Sequence, residues 1–230
     1  MKNIIGVLLV AVVFGCTLAG NGDKSADLKA INCDKPVSYG DIQVCLPAIN
    51  GMVESYGIPN VKVRADAFQP DVNVVLGFYL NDATHKEVDS LDNLVLDDYF
   101  QIYAAKSLQG VKVTAADLDK MGDIVSDNYI KENWDDLNEK IKKEFDFLSV
   151  TKPILLDSYT PNPDARAYIL LLKYEVEDDF QIYIATMNVL KIRDRMLFMA
   201  YYKSFKNEET ITDAKEKNNK IVEAFIKANA

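Results

Sequence analysis

AYILLLKYEVEDDFQIYIATMNVLKIRDRMLFMAYYKSF, residues 167–205, is the stretch that decides the fold. Three long runs rich in β-branched and aromatic residues, Ala167 to Val176, Phe180 to Ile192 and Met196 to Phe205, are separated by short polar gaps at Asp178-Asp179 and Arg193-Asp194. Such short polar gaps make consecutive antiparallel hairpins the simplest topology. In the first run Tyr168, Leu170, Leu172, Tyr174 and Val176 recur at period two and share one face. Its centre is apolar on both sides, which predicts a central strand buried on both faces.

Outward from that stretch, apolar residues Ile211, Ala214, Ile221, Val222 and Phe225 recur at the helical period, which predicts a helix from about Thr210 to Ala228. Upstream, Pro153 to Tyr159 reads as a strand followed by a turn-rich loop, Tyr159 to Asp164. Residues 115–145 read as helical, with Thr114 and Asp117 as a capping box, a phase slip near Ser126-Asp127-Asn128, and Trp134 on the apolar stripe. Leu91, Leu94, Val95, Ile102 and Leu108 suggest a further helix from Ser90 to Gly110. Val72 to Leu80 is a strand, Val37 to Leu46 another ended by Pro47, and Asn50 to Pro70 irregular with a short strand at Val61 to Arg64. Helices laid on an antiparallel sheet give an α+β fold, read as one domain over residues 34–230.

The N-terminus carries a different signal. Lys2 precedes an apolar run, Ile4 to Phe14, of signal-peptide length. A membrane-spanning helix needs about 20 apolar residues, and this run soon meets Gly20, Asn21, Gly22 and Asp23. Cleavage before Cys16 is the better reading, making residues 1–15 a signal peptide and 16–33 a tether rich in Gly, Asn, Asp, Lys, Ser and Ala. Val13-Phe14-Gly15-Cys16 resembles the lipobox of bacterial lipoproteins, although Phe14 replaces the usual Ala or Ser. The resemblance implies a diacylglyceryl thioether on Cys16 and an acylated amino terminus, hence a membrane anchor of several chains. Thr17 after the cysteine implies, by the enterobacterial sorting rule, an outer-membrane location, with a periplasm-facing domain favoured. An ordinary secretory signal or an uncleaved anchor are the alternatives.

Composition limits what the exported part does. The chain carries 26 basic and 35 acidic residues, a net charge of -9, and no basic cluster, which argues against nucleic acid as a partner. Cys33 and Cys45 are predicted to form a disulfide in an oxidising compartment, two separate thiols being the alternative. A zinc site is disfavoured, because His85 is the single histidine and no Cys-x-x-Cys pair exists; no cofactor is implied.

The order of elements, with a strand ending in Leu46-Pro47, a paired strand, a helix, and a meander closing in Met196 to Phe205 before a terminal helix, resembles the PsbP-like α/β/α sandwich. That group includes photosystem extrinsic subunits, a nuclear-import factor that binds a small GTPase, and small bacterial lipoproteins. The resemblance implies a non-enzymatic accessory role with a protein or envelope partner. Motifs for catalysis are missing: there is no Gly-x-Ser-x-Gly elbow, phosphate-cradling glycine loop or His-Glu-x-x-His. Asp97-Asp98, Asp135-Asp136 and Asp178-Asp179 could serve a carboxylate hydrolase only across a cleft. Tyr99, Tyr103, Tyr168, Tyr174, Tyr183, Tyr201 and Tyr202 could line a groove for a ligand or protein, or fill the core. A non-catalytic binding protein is therefore the expectation, ahead of a small-molecule or lipid carrier and a carboxylate hydrolase.

Overall fold

The computed structural model describes residues 33–88, 96–123, 148–176 and 179–230. The signal segment, Cys16, the tether to residue 32, and the stretch around Trp134 and Asp135-Asp136 lie outside the described residues. In chain order the elements are β1 (Pro36–Tyr39), β2 (Ile42–Cys45), β3 (Met52–Glu54), α1 (Pro59–Ala67), β4 (Asn73–Asn81), α2 (Asp82–Lys86), β5 (Asp98–Ala105) and α3 (Ala115–Asp123). There follow β6 (Leu148–Val150), β7 (Ile154–Asn162), β8 (Ala165–Val176), β9 (Asp179–Ile192), β10 (Arg195–Ser204) and α4 (Glu209–Ala228).

The three runs of residues 167–205 form the middle of an eight-stranded antiparallel sheet, ordered β3-β4-β5-β10-β9-β8-β6, with β7 also paired to β8. Arg193 and Asp194 both take left-handed backbone, φ 50° and 58°, as a two-residue hairpin of matching twist requires. Tyr168, Leu170, Leu172 and Tyr174 enter one core layer with Val61 and Ala65 of α1 and Leu118 of α3. Ile169, Ile184 and Leu190 enter the other with Ala214, Ile221, Val222 and Phe225 of α4 and with Tyr39 and Val44 of the β1–β2 hairpin. Both faces of the sheet are therefore covered, giving an α+β fold in three layers.

Four local readings change. Val61 to Arg64 is helical: Pro59 starts α1 with its φ already set, and Val61 and Ala65, four apart, bury together under one face. Asp98 to Ala105 is a strand inside the expected helix, because Tyr99 and Tyr103 bury on one face while Phe100 and Ile102 bury on the other. Pairing with β4 and β10 overrides the helical spacing of Ile102 and Leu108. The first strand is two, folded at Gly40-Asp41; Gly40 has φ +57°, and a Cβ there would lie 2.4 Å from the Gln109 carbonyl oxygen. Lastly, β7 runs through the expected loop to Asn162, with the turn at Pro163-Asp164. At α3 the expected cap is present, the Asp117 carboxylate accepting from both the Thr114 N–H (2.9 Å) and hydroxyl (2.7 Å).

Candidate functional site

The two edges of the sheet differ. β3 has three residues, too short to template a partner strand. β7 has nine, and its only strand partner among the described residues is β8. Ile154 stands opposite Leu171 and Leu155 opposite Leu170, so these two point to opposite faces; Leu156 is the extra residue of a bulge before Asp157 opposite Ile169. Ile154, Leu155 and Leu156 keep 57%, 39% and 40% of their surface in contact with solvent. Pro153 and Pro161 flank this segment, and Asp157 on its inner part is tied to Lys215 of α4 at 2.7 Å. The consequence is an open run of three apolar side chains on the long edge. Phe180 at the start of β9 is equally exposed, with the Lys173 ammonium 5.0 Å from its ring centre.

Concave surface is less promising. A mainly apolar cleft is lined by Tyr103, Tyr168, Met187 and Phe198, with Asn73, Ser107 and Asn188 also in its wall. It encloses about 20 Å³, room for about one water molecule, whereas small-molecule sites run to several hundred. A larger open groove of about 520 Å³ lies between Ala48–Asn50 and the outer face of α4. Two of its lysines are engaged within the protein: Lys217 holds both Asp98 carboxylate oxygens at 2.9 Å, and Lys203 pairs with Asp213 at 3.4 Å.

The residues that could carry chemistry are occupied structurally. His85 lies in the last turn of α2 with Nδ1 2.8 Å from the Ser55 hydroxyl. Ser55 is buried and donates its one hydroxyl proton to the Val53 carbonyl at 2.9 Å, so His85 is the donor and Ser55 the acceptor. That is the reverse of what an activated nucleophile needs. Of the carboxylate pairs, Asp97 and Asp98 serve Asn81 and Lys217. Asp178 and the side chain of Asp179 lie outside the described residues. All seven tyrosines are buried, with Tyr103 and Tyr168 alone reaching the cleft; burial raises the hydroxyl pKa values of Tyr99, Tyr103, Tyr174, Tyr183, Tyr201 and Tyr202. Cys33 Sγ is 2.02 Å from Cys45 Sγ, at the end of β2. Among the described residues no group of His, Cys, Asp and Glu is placed to hold a metal ion, and no helix is long and apolar enough to cross a membrane.

Sequence reasoning did not find the β7 edge. Ile154-Leu155-Leu156 reads only as part of the strand Pro153 to Tyr159, and its exposure arises from which strand lies beside it.

No protein-family model and no curated protein matches this chain. Among solved structures it is similar to the Saccharomyces cerevisiae Ran-binding protein Mog1p, at 14% identity and a TM-score of 0.33 over 86% of this chain and 91% of that one. A mutant of Mog1 is similar at 13% identity and 0.31, over 81% and 84%. At scores this low the likeness carries no argument about the partner of this chain.

Proposed function

We propose that this chain is an exported, lipid-anchored protein of the bacterial envelope that binds a protein or envelope component as an accessory factor and performs no catalysis. The single observation that carries the binding role is the exposed triplet Ile154, Leu155 and Leu156 on an open sheet edge. Apolar side chains left in water on a long edge are a surface awaiting a neighbour. The carrier reading needs an enclosed cavity, and the apolar cleft holds only about 20 Å³. The hydrolase reading needs two facing carboxylates, and the described pair serves Asn81 and Lys217.

The anchor rests on the lipobox-like Val13 to Cys16 and the apolar run before it. An oxidised Cys33–Cys45 pair, an outer-membrane location facing the periplasm, and the PsbP-like assignment, kept as a likeness of architecture, belong to the same proposal. The test is photo-crosslinking in living cells of the native host, with the cross-linker at Leu155 and, as control, at exposed Val63 of α1. One envelope protein captured from position 155, and not from 63, is the expected result. Cys16→Ala should move the chain to the soluble fraction; unchanged membrane fractionation would refute the anchor. Capture of nothing by a well-expressed anchored chain would refute the accessory role.

A further inference from the structure

Cys45 is held twice. Its sulfur is joined to Cys33, and its main chain is joined to Asn229, the residue after α4. The Leu46 N–H donates to the Lys35 carbonyl at 3.0 Å, so at the neighbouring Cys45 the main-chain groups point away from β1. There the Cys45 N–H donates to Asn229 Oδ1 at 2.7 Å, and Asn229 Nδ2 donates to the Cys45 carbonyl at 2.9 Å. The side-chain amide thus stands where another strand would stand, since it offers one donor and one acceptor as a peptide group does. Nδ2 also donates to the Phe225 carbonyl at 2.8 Å, one of the carbonyls that the end of α4 leaves open. Both residues are buried, Cys45 to 6% and Asn229 to 4% exposure, so no water competes for these bonds.

We propose that Cys33, Cys45 and Asn229 form a redox-sensitive latch that fastens the C-terminal end of α4 to β2, and that reduction of the disulfide releases the helix end. A dithiol reductant supplies the two electrons. One of its thiolates attacks the sulfur of Cys33, the more exposed residue, and Cys45 leaves as a thiolate that takes up a proton. The reductant's second thiolate then attacks the reductant's own sulfur in the mixed disulfide, closing an internal disulfide in the reductant and expelling Cys33 as a thiolate that takes up a proton. With Cys33 gone, the end of β2 depends on the hairpin ladder and the Asn229 amide alone. Coupling of this kind is reciprocal: if oxidation holds the helix end, the helix end protects the disulfide. The inference rests on the proposed export only in that the bridge forms in an oxidising compartment.

The test uses the full chain, purified in detergent, with dithiothreitol as reductant. Thiol release is followed by maleimide mass tagging, and amide exchange across residues 221–230 is followed by mass spectrometry. Asn229→Ala is expected to speed thiol release at least tenfold, with exposed Lys227→Ala as the unaffected control. Reduction of the wild type is expected to raise exchange in the last turn of α4 at least fivefold and to leave its middle unchanged. Unchanged exchange on reduction, an unchanged release rate in Asn229→Ala, or two thiols in the protein as isolated would each overturn the latch. Should Asn229→Ala fail to fold, the oxidised and reduced wild type decide alone. Cys16→Ala protein gives the same readouts, so the latch and the anchor stand or fall separately.

Discussion

Asn218→Leu removes the centre of a buried polar network, and its cost follows from what the change strands. Asn218 lies on the sheet side of α4 with no exposed surface, and its Oδ1 accepts from both the Thr186 hydroxyl (2.8 Å) and Asn188 Nδ2 (2.8 Å) of β9. Its Nδ2 donates to Asn188 Oδ1 at 2.9 Å and to the Tyr159 hydroxyl at 3.1 Å. With leucine there, Asn188 Nδ2 keeps the Met199 carbonyl at 3.1 Å, but the Thr186 hydroxyl and Asn188 Oδ1 lose the partners just named. An orphaned buried polar group costs about 1–3 kcal/mol, so two cost roughly 4 kcal/mol. In a chain of this size that lowers Tm by about 8–16 °C. Urea unfolding of the variant should show the loss as a lower midpoint at unchanged slope. The triple change Thr186→Val, Asn188→Leu and Asn218→Leu should recover most of it, because the two stranded side chains go with their partner, and only the half-buried Tyr159 hydroxyl and the Met199 carbonyl lose a side-chain donor. A single variant within about 1 kcal/mol of wild type, or a triple variant no better than the single one, would refute the reasoning.

Gln101 offers the opposite case: it is fully buried on β5, and neither amide atom has a hydrogen-bond partner among the described residues. Gln101→Met keeps its length and removes the penalty, so Tm should rise by about 2–8 °C, an estimate from about 1–2 kcal/mol at this chain size; a lower Tm would mean that the amide is satisfied by internal water. Asp41 grips the buried Arg195 with two oxygens, at 2.7 and 2.6 Å, and the hydrogen bond to that guanidinium holds its carboxyl below the usual range. Asp117 is lowered to about 2 by the Thr114 main-chain and hydroxyl bonds at the cap. Since both folded values lie below the unfolded value, about 4, their stabilisation is present above that pH and is lost as pH falls, for Asp117 through about 2. Urea midpoints measured at pH 7, 4 and 2.5 should therefore fall, and fall less in Asp41→Asn; an equal fall in that variant would remove Asp41 from the account.

What could be read from the sequence was whatever one strand or helix decides by itself. Tyr168, Leu170, Leu172 and Tyr174 fall on one face of β8, and Ala214, Ile221, Val222 and Phe225 fall on the buried face of α4, because period alone places them. The same holds for the Thr114–Asp117 cap, whose two partners are three residues apart. β5 was missed because Ile102 and Leu108 happen to fit a helical stripe with residues upstream of it. What makes it a strand is its pairing with β4 and β10, the latter about a hundred residues later in the chain. α1 was missed for the converse reason: Val61-Lys-Val-Arg64 alternates like a strand, yet Pro59 and the burial of Val61 and Ala65 fix it as helix.

The candidate binding surface was illegible for a deeper reason. Several groups that announce themselves in a sequence are here bonded within the fold: His85 to Ser55, Asp98 to Lys217, Asp157 to Lys215, Asn218 to Asn188. What the fold leaves open at the edge of β7 is main chain and three aliphatic side chains, which have no signature distinct from that of the core. Ile154, Leu155 and Leu156 are exposed because β6 and β7 both pair with β8, at different ends of its length, and among the described residues no strand lies beyond β7. An edge is defined by the neighbour it lacks, and local sequence patterns encode neighbours only where these are close along the chain. For this fold, a search for function by motif therefore looks at the residues with the least freedom to act, whereas a search by topology leads to the edge of β7.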